Sequence, residues 1–478
     1  MANRVIQMKA PRIYIKRVII ILIFTFVFTL PVYASGFVPT ISPSVILVER
    51  HSGKILHAKN EHARMYPASM TKIMTALVAL EYLNPDDVIV VGPEINGIPP
   101  AYATATHAEG ESITVRTLLH VLLIRSGNEA GRIFALNVAR VRQNRQNIPY
   151  DQAERIFCGM MNEKASELGA LGTNFENPYG FHSENHYTTA YDLSLMCRAL
   201  MQNELLAQIV GESSFTGDSM EGRNADGLKV RSYDFLNRNQ LLQPGDNYYP
   251  YATGIKTGFT DDAGDCLAAA ASKDGIELIA VIFDSKDPGR WQDAKYMFDF
   301  SFASFGYVAI HNEDDWILRA QISNPRLGDD GYVDACASED AIRFLSHDEL
   351  IRIERVIVYD EKFIPDDEDA PIGSLAAPIS EGEILGAIEY RLDGEIIFEG
   401  KLYAANGVVE RTYDSDMDYH IAEIQENIFT ARAFPYWFGA AGFLFGIIGI
   451  SAAVSSRRKL KREKWRAGPS YRSRGYYR

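Results

Sequence analysis

From Phe434 to Val454 the chain runs 21 residues without a charged side chain, and Arg457, Arg458, Lys459, Lys461 and Arg462 follow at once. A run of about 20 apolar residues is long enough to cross the hydrocarbon core of a bilayer as one helix. A helix is the form it has to take, because no water is present there to satisfy open backbone groups. Pro435, Tyr436 and Trp437 stand at its start, and amphipathic rings favour the headgroup layer. Basic residues beside a span stay in the cytoplasm. The pattern predicts a transmembrane helix over 434–455, a basic cytoplasmic tail over 456–478, and everything before them on the outer face.

The other end supports that address. Arg4, Lys9, Arg12, Lys16 and Arg17 lead into the apolar run Val18–Leu30, which Pro31 breaks before Val32-Tyr33-Ala34. Thirteen residues are few for a span, and small residues at the first and third positions suit a processing enzyme. Residues 1–34 therefore read as a signal peptide cleaved after Ala34. The net charge of −14 hides +5 in residues 1–34 and +9 in the tail, so the body 35–456 carries −28. Phosphates would be repelled by such a body, which argues against a nucleic-acid partner.

The length of 478 residues suggests two or three folded units at roughly 150 residues each. Residues 45–58 alternate and break at Ser52-Gly53, as an antiparallel hairpin does. Apolar spacing predicts helices over Pro67–Leu83, Arg116–Ile124, from Asn128 onward and over Asp151–Leu168. Helices dominate to about Val210. The stretches Gly254–Phe259, Cys266–Ala271 and Ile276–Phe283 then read as strands, and Trp291–Phe305 as a closing helix. Early and late strands around a helical middle indicate an α/β unit over 36–305 in which the two ends pair in one sheet. Beyond it, Trp316–Ile322, Ile351–Tyr359, Ile384–Arg391 and Glu395–Tyr403 indicate a small all-β domain over 306–405. A connector covers 406–433, where Ile421, Ile424 and Ile428 recur at helical spacing.

Cys158, Cys197, Cys266 and Cys336 show no CxxC spacing, which argues against a structural zinc site. An outer location permits disulfides, but Cys158 in a helix stripe and Cys266 in a strand favour buried thiols. His182 and His186 stand four apart without an evident third ligand. No H-E-x-x-H and no phosphate-binding G-x-x-x-x-G-K-[ST] occurs, so no metal or cofactor is expected.

Three short motifs occur in order: Ser69-Met70-Thr71-Lys72, Ser126-Gly127-Asn128 and Lys256-Thr257-Gly258. Each alone is weak, and together they carry acyl-transfer chemistry. A serine hydroxyl is a poor nucleophile until a base takes its proton. Lys72 lies three residues on, on the same helical face, and an apolar surround of Met70, Ile73 and Met74 would lower its affinity for a proton. The helix N-terminus offers the Ser69 N–H to a developing oxyanion. Read blandly, Ser69 is an N-cap, Ser126 to Asn128 a turn between helices and Lys256 to Gly258 a strand end.

The surrounding segments resemble the D-alanyl-D-alanine carboxypeptidases, the low-molecular-mass penicillin-binding proteins. They are Met65–Thr75, Leu123–Ala130, Asn177-Pro178-Tyr179-Gly180, Tyr187–Asp192, Asn237-Arg238-Asn239 and Gly254–Thr260. The likeness runs from about Val45 to Phe305, and Ala377-Pro378 with Gly382 and Gly386 resembles the family's β-rich second domain. It implies a transpeptidase/β-lactamase-like catalytic domain, an antiparallel sheet with a helical subdomain. It also implies penicillin inhibition and a stem peptide of peptidoglycan, ending in D-Ala-D-Ala, as substrate. By the same resemblance Ser69 attacks the carbonyl between the two D-alanines, Lys72 takes its proton and Ser126 passes a proton to the leaving D-alanine. Asn128 would hold the substrate amide. Lys256, Thr257 and Arg290 would bind the terminal carboxylate, with Arg238 facing the cleft. The N–H groups of Ser69 and Phe259, the latter following Gly258, would form the oxyanion hole.

Two neighbouring readings fit less well. A class A β-lactamase needs a deacylating glutamate in a segment such as E-x-x-L-N, and none follows Asn128. A penicillin sensor needs a cytoplasmic signalling domain, which the 22 residues after Ser456 cannot fold into. D,D-endopeptidase action on cross-links would use the same residues.

Overall fold

The computed structural model describes residues 39–96, 98, 107–220, 227–366, 370–428 and 434–466. The predicted signal peptide lies outside them, as do 467–478 of the predicted tail. The chain divides into two compact units. The first runs to Tyr307 and includes Phe344–Ile351; the second takes Val308–Arg343 and Arg352 onward.

The first unit is built on strands β1 (Ser44–Glu49), β2 (Ile55–Lys59), β3 (Val88–Val90), β4 (Ser112–Thr114), β5 (Ser214–Asp218), β6 (Ser232–Leu236), β7 (Ala252–Thr260), β8 (Gly264–Lys273) and β9 (Ile276–Ser285). Its main sheet has the order β2-β1-β9-β8-β7, antiparallel throughout, and β1 pairs with β9 from Ser44↔Phe283 to Glu49↔Leu278. The early and late parts of the chain thus meet in one sheet, as the sequence indicates. Both faces of that sheet are covered. Ile46, Val48, Ile279 and Val281 face one core; Val45, Leu47, Leu278 and Ala280 face another. Double coverage explains why β8 and β9 read as unbroken apolar runs rather than alternating ones.

Helices α1 (Lys72–Tyr82), α2 (Val115–His120), α3 (Asn128–Gln143), α4 (Tyr150–Glu167), α5 (Ala190–Gln202), α6 (Glu204–Gly211) and α7 (Gly289–Ser304) surround the sheet. Met70, Ile73 and Met74 at the head of α1 are fully buried, each contributing roughly 1.5–3 kcal/mol by leaving water. On the other face α7 seals the sheet with Trp291, Met297 and Phe298. The β3–β4 and β5–β6 pairs were not expected from the sequence. Three-residue strands such as β3 are too short to establish an alternation. All four cysteines are buried free thiols.

In the second unit, β11 (Trp316–Gln321), β12 (Tyr332–Ala337), β14 (Ile353–Tyr359), β15 (Ile384–Leu392) and β16 (Glu395–Ala404) form a sheet of order β11-β12-β16-β15-β14. Strands β10 (Phe305–His311) and β13 (Ala341–Ser346), each divided between the two units, make a separate ribbon. Helix α8 (Tyr413–Ile428) occupies the connector and exposes Ile421 and Ile424. Helix α9 (Phe434–Arg466) includes a candidate span, Pro435–Arg462, within which an 18-residue window reaches mean hydropathy 1.9, long and apolar enough to cross a membrane. It continues past the expected end at 455 because Lys, Arg and Glu are good helix formers.

The three sequence motifs converge where the head of α1 meets the edge strand β7. A 3₁₀ turn, Ala68–Thr71, precedes α1. Ala68 adopts a left-handed backbone, φ +46°, a strain of order 1–3 kcal/mol that its surroundings must hold. Gly180 and Gly258 do so by close approach. A Cβ on Gly258 would lie 2.9 Å from the Pro67 carbonyl oxygen, and one on Gly180 would lie 1.8 Å from that of Ala68. Gly180 itself has φ +92°. Gly180→Ala should therefore lower stability by about 1–3 kcal/mol and impair acylation of the full chain, read by thermal unfolding and fluorescent-penicillin labelling. Gly306→Ala, whose added methyl meets nothing within 4 Å, should leave both unchanged. Equal behaviour of the two variants would contradict this account of the turn.

Candidate active site

Lys72 is fully buried in the first turn of α1. Its Nζ lies 2.9 Å from Ser69 Oγ, 2.7 Å from Asn128 Oδ1 and 2.6 Å from the Tyr179 carbonyl oxygen. Burial, and secondarily the positive charge of Arg238, lowers its pKa to about 7; Glu129 pulls the other way. The neutral amine has two N–H groups and one lone pair. Asn128 Oδ1 and the Tyr179 carbonyl can only accept, so they take the two N–H groups. In that neutral state the lone pair is left to accept from the Ser69 hydroxyl; in the ammonium state the third N–H donates to Ser69 Oγ instead. Ser69 itself is half-buried and open to a cleft of about 840 Å³.

The Tyr179 carbonyl is aimed by the turn that contains it. Asn177 Oδ1 accepts the N–H groups of Gly180 at 2.7 Å and Phe181 at 3.0 Å, and Asn177 Nδ2 donates to the Phe181 carbonyl at 2.9 Å. Thr75 Oγ1 donates to the Pro178 carbonyl at 2.5 Å, tying the same turn to α1. On the far side of Ala68, His186 holds the nucleophile turn. Its Nδ1 accepts the Glu176 N–H at 3.0 Å, which leaves Nε2–H to donate to Thr71 Oγ1 at 2.8 Å. Thr71 Oγ1 in turn donates to the Ala68 carbonyl at 2.8 Å. Burial pushes the pKa of His186 down to about 3, so it stays neutral and keeps that tautomer. His182 stands apart from this network, 3.7 Å from Asp262 at the cleft.

Ser126 and Asn128 come from the junction of two helices. A single π turn, Val121–Arg125, ends α2, and its Val121 carbonyl accepts the Ser126 and Gly127 N–H groups. Ser126 then turns left-handed at φ +67° and is almost fully buried beside the cleft. Such π turns concentrate at functional sites. Asn128 opens α3, which directs its side chain to Lys72.

Strand β7 forms the opposite wall through Thr257, Gly258, Phe259 and Thr260. Lys256 is fully buried, donates to the Thr257 carbonyl at 3.0 Å, and has its pKa pushed well down by burial and then by Lys72, Arg238 and Arg290. Arg238 and Arg290 also line the cleft. Arg290 is committed to protein partners. It pairs with Asp265 at 2.9 Å and donates to the Gly258 and Cys266 carbonyls at 3.3 and 3.4 Å. The structure thus brings Ser69, Ser126, Asn128, Thr257, Gly258, Phe259, Arg238 and Arg290 to one cleft, with Lys72 and Lys256 beneath its floor. Sequence reasoning assigned nothing to the Tyr179 carbonyl, the His186–Thr71 relay or Arg125, which lines the same cleft.

Two family profiles match the chain: D-alanyl-D-alanine carboxypeptidase over residues 38–287, and the C-terminal domain of penicillin-binding protein 5 over residues 318–410. The D-alanyl-D-alanine carboxypeptidase DacF of Bacillus subtilis is 28% identical over 374 residues, covering 76% of this chain and 84% of that protein. The DacB2 enzyme of Mycobacterium tuberculosis is 30% identical over 271 residues, covering 54% and 81%. In fold, the chain is similar to the D-alanyl-D-alanine carboxypeptidase DacD of Francisella tularensis, with TM-score 0.57 and 21% identity over 79% of this chain and 96% of that one. Since the first profile alone spans more than half of its length, the chain belongs to the D-alanyl-D-alanine carboxypeptidase family.

Proposed function

We propose that this protein removes the terminal D-alanine from peptidoglycan stem pentapeptides through an acyl-enzyme on Ser69. The observation that carries the reading is the Lys72 amine, dry and held by two acceptors so that its lone pair meets Ser69 Oγ at 2.9 Å. Ser69 attacks the carbonyl between the two D-alanines as Lys72 takes its proton. The oxyanion forms against the N–H groups of Ser69 and Phe259, where preorganised donors lower the barrier most. Ser126, supported by Lys256, hands its proton to the departing amine and is reprotonated by the Lys72 ammonium formed in the first step, while Asn128 holds the acyl-side amide. Thr257 and the cleft cations hold the terminal carboxylate. Water then frees the shortened peptide. β-Lactams, which present a strained amide beside a carboxylate, would acylate the same serine.

The same chemistry accommodates the predicted address. Cleavage of the signal peptide after Ala34 and insertion of 434–455 would tether the catalytic unit on the outer face of the membrane. The positive charges following the span support that orientation.

Release of D-alanine from a diacetyl-lysyl-D-Ala-D-Ala peptide tests the reaction. The full chain should release one D-alanine per peptide, Ser69→Ala none, and the variant should lose fluorescent-penicillin labelling; labelling that persists would remove Ser69 from its role. Lys72 acts as a base only when neutral, so kcat/KM should climb about tenfold per pH unit below pH 7 and flatten above it. Lys72→Arg, charged at every accessible pH, should lose at least about 10²-fold in acylation rate and the pH limb with it. A limb unchanged in that variant would assign the base elsewhere. Deleting 434–478 should move penicillin-labelled protein from the membrane fraction to the soluble one; continued sedimentation with membranes would contradict the tail anchor.

A further inference from the structure

Tyr179 is held at both of its ends. Its carbonyl accepts from Lys72 Nζ at 2.6 Å, while its phenol donates to Glu154 Oε1 at 2.9 Å. Glu154 lies on α4, and Tyr150, one turn earlier on that helix, donates to the same oxygen at 2.8 Å. Burial, and then the charge of Glu154, raises the pKa of both phenols, so both hydroxyls keep the protons they donate. Helix α3 supports the arrangement from its own side. Its Arg132 stacks over the Tyr150 ring, the guanidinium carbon 3.7 Å from the ring centre, and Nε donates to the Glu94 carbonyl at 2.5 Å. The Tyr179 ring is buried and meets Phe181 edge-on, with centroids 4.4 Å apart.

Glu154 stands outside the cleft lining, so any part it plays runs through Tyr179. The rest of the turn is tied by other means: Asn177 takes the Gly180 and Phe181 N–H groups, and Thr75 holds the Pro178 carbonyl. Between those ties stands the Tyr179 α-carbon, which its own side chain must place. A Cβ on Gly131 would lie 3.0 Å from the Pro178 carbonyl oxygen and 3.4 Å from Tyr179 Cβ. Close packing therefore blocks movement toward α3, and the bond to Glu154 opposes movement away from α4. We propose that Glu154 is a positioning residue for the base: by anchoring the Tyr179 phenol it holds the Tyr179 carbonyl on Lys72 and keeps the lone pair aimed at Ser69. The inference rests on the role proposed for Lys72 and adds to it a residue that touches no reacting atom. Withdrawing the carbonyl weakens the ammonium form more than the neutral amine, because hydrogen bonds to charged donors are the stronger ones. Loss of the anchor therefore moves the pH limb of acylation to the acid side as well as lowering its plateau. Glu129, Arg238 and Lys256, whose charges act on Lys72, and the neutral His186 all stay in place when the anchor is removed.

Acylation of the detergent-solubilised full chain by fluorescent penicillin, followed against pH and normalised to final labelling, tests the anchor. Glu154→Leu should lower the plateau rate about 10-fold, a moderate cost for a misaimed base. It should also move the midpoint of the limb about 0.5–1 pH unit to the acid side. Tyr179→Phe removes only the hydroxyl and should act in the same direction to a similar degree, which covers a Glu154 variant that fails to fold. The double variant should be no slower than the slower single one, since both changes break one link. Glu154→Gln, which keeps an acceptor oxygen, should restore the wild-type midpoint and most of the plateau. Variants that melt earlier yet keep the wild-type midpoint and rate would reduce the cluster to a brace and overturn the proposal. Losses that multiply in the double variant would overturn it too. A wild-type chain that is acylated but releases no D-alanine would overturn the carboxypeptidase reading alone, with the acylation rates still deciding Glu154. A limb that survives Lys72→Arg would remove the base and this proposal together.

Discussion

Everything in the cleft depends on keeping one amine out of water. Lys72 is useful only while neutral near pH 7, and neutrality there costs the fold a buried, hydrogen-bonding group that must be satisfied. The fold meets the need with two oxygens from distant parts of the chain: Asn128 from the head of α3 and the Tyr179 carbonyl from the Asn177–Phe181 turn. Because both can only accept, they fix the direction in which the lone pair points as well as the amine's position. Satisfying the buried group and aiming the base are one arrangement.

The same turn has a second task, and the two constrain each other. Tyr179 presents its carbonyl to Lys72 while Gly180, the next residue, presses against the carbonyl of the left-handed Ala68. A side chain at Gly180 would push the turn away and carry the Tyr179 carbonyl with it. The His186–Thr71 relay holds the Ala68 carbonyl from within α1's own first turn. Backbone strain ahead of the nucleophile is thus held between a turn without a side chain and a neutral imidazole, neither of which contacts the reacting atoms.

What the sequence made legible follows from this division of labour. The roles proposed for Ser69, Lys72, Ser126, Asn128 and Lys256 are side-chain roles, and chemistry restricts those types and spacings tightly enough to be recognised. Helices α1, α3 and α4 were legible because one buried face repeats at 3.6 residues, and β1 and β2 because Ser52-Gly53 interrupts their alternation. The Tyr179 carbonyl was not legible, since any residue has one and only the fold aims it. Nor was the state of Arg290. The resemblance implied a carboxylate-binding arginine there, with a surface ion pair as the bland alternative, while Asp265, its closest carboxylate partner, lies on a strand whose register no local pattern fixes. Arg125 went unassigned because an arginine at a helix end has an ordinary explanation, and only the fold places it at the cleft.

The distribution of charge closes the argument about what this cleft can attract. The body carries −28, so an anionic peptide approaching from a distance meets a repelling field. Surface charges, however, are screened beyond about 8–10 Å at physiological ionic strength. Within the cleft, partial shielding from solvent makes nearby charges act more strongly than across the open surface. The cleft cations therefore need not overcome the whole body; they need only dominate within the cleft. Short range suits a residue that must hold its ligand for one reaction and then release it. Once the amide is cut, the departing D-alanine gains an ammonium group, which the cleft guanidinium groups repel. The cations that hold the carboxylate of the uncut peptide thus weaken their hold on the product.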